Sequence, residues 1–193
     1  MPPITTVAVF CGARPGCNPA YRSAAIALGE AIAHAGMRLV YGGGRVGLMG
    51  ALADGAVNAG GHVVGIIPEF LSARELAHEG LTRQIVTDSM HTRKRRMFEL
   101  ADAFVALPGG LGTLDEVVEI ITWRQLGLHD KPILLCDVAN SAAPLLALLE
   151  AAITCGFAQA EARDLFERTD GVAATIARLR QLQTGREGEA ARL

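Results

Sequence analysis

Short apolar runs alternate along this chain with longer stretches in which apolar residues recur every three or four positions. The runs are Thr6–Phe10, Arg38–Tyr41, His62–Ile67, Gln84–Thr87, Ala103–Leu107 and Pro132–Cys136. They are largely aliphatic, and several are closed by Gly or Pro, so they predict buried strands. The stretches between them predict helices over Pro19–Ala35, Leu48–Ala59, Met90–Leu100, Thr113–Leu126 and Pro144–Cys155, and a last one over Gly171–Gln183. Strands and helices in alternation, with strands apolar on both faces, describe a parallel sheet covered by helices. The expected fold is therefore α/β: a single Rossmann-like domain over residues 1–183, with a doubly wound parallel sheet and helices on both faces. Residues 184–193 are polar and charged and read as a frayed tail.

Composition narrows the class. The 193 residues are half hydrophobic and one-fifth charged, enough for one domain with a real core. A net charge of −2 advertises neither a nucleic-acid nor a membrane-surface partner. Cys11, Cys17, Cys136 and Cys155 form no CxxC pair, and no His/Cys cluster has metal-ligand spacing, so no metal is expected. They read as reduced thiols of a cytoplasmic protein. No signal-peptide pattern opens the chain, and no uninterrupted apolar run is long enough to span a membrane.

Three glycine-bearing loops follow predicted strands: Cys11–Gly16 (CGARPG), Tyr41–Gly50 (YGGGRVGLMG) and Leu107–Thr113 (LPGGLGT). In such sheets ligands collect outside the carboxyl ends of the strands, and glycine lets a ligand approach the backbone closely. The last two loops run straight into helices, whose free N–H groups attract anions. Tight turning without a ligand is the plainer account of YGGGRVGLMG. Gly42, Gly44 and Gly47 also give a GxGxxG-like run, but Gly65-Ile66-Ile67-Pro68 stands where a dinucleotide site would carry its acidic residue.

PGGLGTLDE is the sharper signal. Pro108 stops a strand, Gly109, Gly110 and Gly112 keep side chains out, and Thr113 offers a hydroxyl near the helix start. A phosphate fits there. So does a capping box with Thr113 as N-cap and Glu116 at the third helical position, although such a box does not require the glycines. The second candidate is MHTRKRRM, Met90–Met97, with four consecutive cations near a helix N-terminus, where the dipole disfavours them. Helical spacing puts Met90, Arg93, Lys94 and Met97 on one face and turns Arg95 and Arg96 elsewhere. A solvated basic face is the alternative. His91 reads as structural.

Together these segments resemble the LONELY GUY family of cytokinin riboside 5′-monophosphate phosphoribohydrolases. The resemblance covers roughly residues 7–157. It rests on YGGGRVGLMG, IIPEFL (Ile66–Leu71), REL (Arg74–Leu76), MHTRKRRM, LPGGLGTLDE and ITWRQLGLHDKP (Ile121–Pro132). It implies a Rossmann-like dimer that releases a free base and ribose 5-phosphate from a nucleoside 5′-monophosphate, cytokinin-type or AMP, without a cofactor. It also implies that Arg93 and Glu116 are catalytic. The implied substrate contacts are Glu75, Arg93, Lys94, Gly109, Gly110, Leu111, Gly112, Thr113, Leu114, Asp115, Glu116 and Thr122. CGARPG departs from the family's CGS at Ala13, and Thr92 fills a variable position.

An older label for such sequences, lysine decarboxylase, needs a Schiff-base lysine. Lys94 and Lys131, the only lysines, have no recognisable pyridoxal context. Breaking the C1′–N9 bond builds oxocarbenium character on ribose, which a carboxylate can stabilise. A non-catalytic AMP sensor and an NAD(P)-dependent oxidoreductase are the rival readings. The apolar positions of Glu116–Leu128 wrap more than one helix face, which leaves a surface for a homodimer partner.

Overall fold

The computed structural model describes residues 4–72 and 78–190. The strands are β1 (Thr6–Phe10), β2 (Arg38–Tyr41), β3 (Val63–Pro68), β4 (Arg83–Thr87), β5 (Ala103–Ala106), β6 (Ile133–Asp137) and β7 (Glu167–Asp170). The helices are α1 (Pro19–His34), α2 (Gly47–Asn58), the short α3 (Glu69–Ser72), α4 (Met90–Leu100), α5 (Leu111–Gln125), α6 (Ala143–Thr154) and α7 (Gly171–Ala190). A 3-10 turn covers Ala160–Leu165.

All seven strands are parallel, in the order β4-β3-β2-β1-β5-β6-β7. Val7 pairs with Leu39 on one side and Ala103 on the other. β1 is therefore the strand at which the winding reverses. The period-two alternation of its side chains feeds two cores. Val7 and Val9 pack with Leu28, Ile32, Leu48, Leu52 and Leu179 of α1, α2 and α7. Ala8 and Phe10 face Met97, Val117 and Ile120 of α4 and α5, with Leu145, Leu146 and Leu149 of α6 packed alongside. The fold is the α/β, doubly wound parallel sheet that the sequence pattern predicts.

Besides the short α3 and the 3-10 turn, neither of which was expected, the structure departs from the sequence reading in three places. β7 was not expected: ERTD has no apolar pattern, and Thr169 is its one buried side chain. α7 continues to Ala190, past the Gln183 boundary. α5 begins at Leu111 with Gly110 as N-cap and no side-chain cap bond. Thr113 is thus the third helical residue and not the cap, and Glu116 lies a turn deeper than a capping box requires.

Candidate active site

The three glycine loops meet at the carboxyl end of β1. Gly12 N–H donates to the Pro108 carbonyl at 3.1 Å, and Leu48 N–H donates to the Gly12 carbonyl at 2.9 Å. A Cβ on Gly12 would lie 3.3 Å from Gly109 Cα. The cleft so formed lies between β1 and β5, where the helices after neighbouring strands leave on opposite faces and a crevice opens.

α5 forms one wall. Its first N–H groups have no carbonyl one turn back to bond, and no side chain caps them. A Cβ on Gly109 would overlap the Thr113 side chain, so packing explains that glycine. Packing does not explain the other two. A Cβ on Gly110 or Gly112 would meet no described atom within 4 Å, and neither residue has positive φ. Leu111 is 85% exposed and Leu114 40% exposed beside them. Thr113 and Glu116 are buried.

α4 forms the facing wall. Ser89 caps it, accepting Thr92 N–H at 3.2 Å. The four cations separate by direction. Arg93 turns inward and is 6% exposed. Its Nη2 donates to the Gly42 carbonyl at 3.2 Å, and its Nη1 lies 3.7 Å from Met90 Sδ. Its Nε is buried with no hydrogen-bond partner among the described residues. Lys94 bridges to α5, with Nζ 3.1 Å from Asp115 Oδ2 and 3.0 Å from Glu119 Oε1. Partial burial works against the ammonium charge, but the two carboxylates outweigh it and raise the pKa of Lys94. Arg95 and Arg96 point outward and share Glu99.

Cys11 follows β1 directly and is buried. Burial pushes its thiol far above its ordinary pKa, the Glu116 carboxylate adds to that rise, and Arg93 opposes it. Glu116 and Arg93 are therefore both within electrostatic range of one buried sulfur. Burying a guanidinium and a carboxylate costs several kcal/mol in lost hydration unless each is matched.

The structure thus brings together Arg93, Lys94, Gly109, Gly110, Leu111, Gly112, Thr113, Leu114, Asp115 and Glu116. Lys94 and Asp115 bond each other here. Thr122 is not brought to the cleft: it lies with Val118 along the groove between α5 and α6, its hydroxyl donating to the Val118 carbonyl at 2.8 Å. Glu75 lies outside the described residues. Cys11, Gly42 and Glu119 were not singled out as site residues by the sequence reading. Gly42 was already in a motif, but its contact with Arg93 spans 51 positions and leaves no local signal.

The family is decided by comparison. A family profile described as "Possible lysine decarboxylase" matches residues 49–179. The cytokinin riboside 5′-monophosphate phosphoribohydrolase of Rhodococcoides fascians is 52% identical over 79% of this chain and 77% of its own length. The chain belongs to the LONELY GUY family. Another family relative, the cytokinin riboside 5′-monophosphate phosphoribohydrolase of Arabidopsis thaliana, is 43% identical over 82% of this chain and 75% of its own. Among solved structures, the molybdenum cofactor carrier protein of Chlamydomonas reinhardtii superposes with a TM-score of 0.71 at 24% identity, covering 96% of this chain and 99% of that one. That likeness is one of fold.

A groove of about 510 Å³ lies elsewhere, between α5, α6 and the 3-10 turn. Val118, Ile121, Leu146, Leu149, Ile153 and Phe166 line it, and Glu150 and Arg163 pair at its rim. Its walls are apolar, and its two charges neutralise each other, so it offers no acid–base chemistry.

Proposed function

We propose that this protein hydrolyses the N-glycosidic bond of purine nucleoside 5′-monophosphates, AMP as well as cytokinin ribotides, releasing free base and ribose 5-phosphate. One observation carries the reading. Among the described residues, neither a packing neighbour nor a positive φ calls for glycine at Gly110 or Gly112, and they open a helix whose first N–H groups have no side-chain cap. A phosphate on that helix end supplies the reason, since it needs N–H donors and no intervening Cβ. Leu111, Gly112 and Thr113 then hold the 5′-phosphate, and C1′ falls toward Glu116 and Arg93. The phosphate acts as a handle, so binding energy remote from C1′ positions the reacting bond.

Glu116 stabilises the oxocarbenium charge at C1′ and orients the attacking water. As the water oxygen bonds to C1′ one of its protons leaves by way of Glu116, the C1′–N9 electron pair goes with the base, and the base takes up one proton in its place. Arg93 is a buried fork with an unmatched Nε, suited to an anionic or hydroxyl group of the bound nucleotide. Lys94 ties α4 to α5 through Asp115 and Glu119 and so sets the width of the cleft. Lysine decarboxylation has no support in the lysines: Lys94 is held by two carboxylates, and Lys131 is held by the Phe98 carbonyl at 2.7 Å and lies over the Phe98 ring.

The test is incubation with AMP or adenosine, followed by chromatography for adenine. AMP should be cleaved and adenosine should be a poor substrate. Comparable kcat/KM for both removes the phosphate cradle. Tight AMP binding with no adenine marks a sensor instead.

We further infer a homodimer across the α5–α6 groove. Leu148 is 64% exposed and Val118 39% exposed on helices that line it, and Leu126 at 68% continues the apolar surface at the end of α5. Light scattering should give twice the chain mass, and Leu148→Asp should shift it toward the monomer. The four cysteines, none in a disulfide, suit the reducing cytoplasm where we place the enzyme.

A further inference from the structure

The glycine loop after β2 is gripped from two sides. The Gly42 carbonyl accepts Arg93 Nη2, and the next carbonyl, Gly43 O, accepts the backbone N–H of His78 at 3.2 Å. His78 is itself anchored. Its Nδ1 accepts Gly80 N–H at 3.1 Å, which leaves the ring proton on Nε2. That nitrogen lies 3.0 Å from Asp54 Oδ1 on α2 and donates to it. The imidazole is 11% exposed, whereas the Asp54 side chain is 58% exposed.

Gly42, Gly43 and Gly44 carry no side chains that could wedge the loop in place, and Gly43 has φ +78, where only glycine is at ease. The direction of the Gly42 carbonyl therefore depends on what its neighbours bond. Arg93 holds that carbonyl by a single bond, from Nη2. The Tyr41 hydroxyl, on the residue just before the loop, is buried with no partner among the described residues and makes no such bond.

We propose that Asp54 and His78 form a latch that holds the Gly43–Gly44 peptide and, through it, the direction of the preceding Gly42 carbonyl and the position of Arg93. Both are positioning residues for the hydrolysis proposed above, and the assignment rests on that reading. Because the Asp54 carboxylate is exposed, its bond to the imidazole contributes little to stability. Its loss should show in turnover and not in melting.

The experiment compares wild type, Asp54→Ala, Asp54→Asn, His78→Asn and Arg93→Ala, with Asp54→Ala also in the Arg93→Ala background, on AMP and with thermal melts. Asp54→Ala should lower kcat about tenfold and change KM less than threefold. His78→Asn, too short to reach Asp54, should match it. Asp54→Asn keeps the acceptor oxygen and should return kcat to within threefold of wild type. In the Arg93→Ala background Asp54→Ala should cost nothing further, because coupled residues are not additive. An Asp54→Ala protein within twofold of wild type overturns the latch. So does a tenfold loss that persists without Arg93. If wild type releases no base from any nucleoside monophosphate, the hydrolysis reading falls by itself. Amide exchange at His78 then reads the latch directly: at least tenfold faster exchange in Asp54→Ala upholds it, and unchanged exchange overturns it.

Discussion

Arg93 Nη2 donates to the carbonyl of Gly42 at 3.2 Å, joining α4 to the loop after β2 across 51 residues of sequence. A Cβ on Gly42 would overlap that same nitrogen and lie 2.8 Å from Met49 Sδ. Gly42→Ala should therefore displace the guanidinium while the sheet stays intact. The expected result is a loss of at least about tenfold in kcat/KM, roughly 1.4 kcal/mol, with a cooperative melt retained. Wild-type kinetics in the folded variant would separate Arg93's position from turnover.

Arg93 and Arg96 differ by orientation, and their variants should differ likewise. Arg93 is 6% exposed in the cleft, whereas the Arg96 side chain is 43% exposed and paired with Glu99. Arg93→Ala should cut kcat/KM by at least about 100-fold, roughly 2.7 kcal/mol of transition-state stabilisation. Arg96→Ala should change it by less than about threefold. Equal losses in two folded proteins would make the basic run a general electrostatic feature.

Gly112 lies in the first turn of α5 with open space where a Cβ would stand. Alanine is the better helix former by about 1 kcal/mol, so Gly112→Ala should hold or raise the melting temperature. It should also raise KM for AMP about tenfold or more, since the new methyl enters the space assigned to phosphate. An unchanged KM measured by initial rates removes the phosphate from that helix end.

Glu116→Gln keeps the shape of a buried side chain and removes its charge. Nucleotide affinity by calorimetry should change little, and adenine release should fall by at least about 100-fold, about 2.7 kcal/mol. Activity within about threefold of wild type would leave the carboxylate without a chemical role.

His129 gives a pH dependence to stability. Its Nε2–H donates to the Ile120 carbonyl at 2.9 Å, and its Nδ1 accepts Lys131 N–H at 3.1 Å, so the ring is neutral. Burial, with Arg124 and Lys131 nearby, outweighs the Ile120 carbonyl and lowers its pKa. Between that lowered value and the roughly 6.5 of an unfolded histidine, the unfolded chain takes up a proton that the folded chain refuses. The contribution is complete above about pH 6.5 and is lost as pH falls below it. Melting curves from pH 7.5 to 5.5 should slope less for His129→Asn than for wild type. Parallel slopes would mean the imidazole does not titrate with folding.

The buried strands were legible because burial on both faces demands apolar residues: Thr6–Phe10 and Arg38–Tyr41 appear in the structure with the predicted bounds. β7 was not legible, because an edge strand with one buried side chain needs no such pattern. The start of α5 was misread for a local reason. Thr113 followed by Glu116 satisfies a capping box on paper, but the chain turns helical at Leu111, where the glycines carry no competing side-chain bond.

Local chemistry is written in the order of residues, and so the glycine loops, the apolar runs and the PGGLGTLDE and MHTRKRRM motifs could be read directly. Each depends on neighbours a few positions away. The divided fate of four consecutive cations could not. Whether Arg93 is buried on Gly42, Lys94 tied to Asp115 and Glu119, or Arg95 and Arg96 left to Glu99 depends on which helix and loop pack against each face of α4. That packing follows from the reversal of winding at β1, which brings loops far apart in the chain to one end of the sheet.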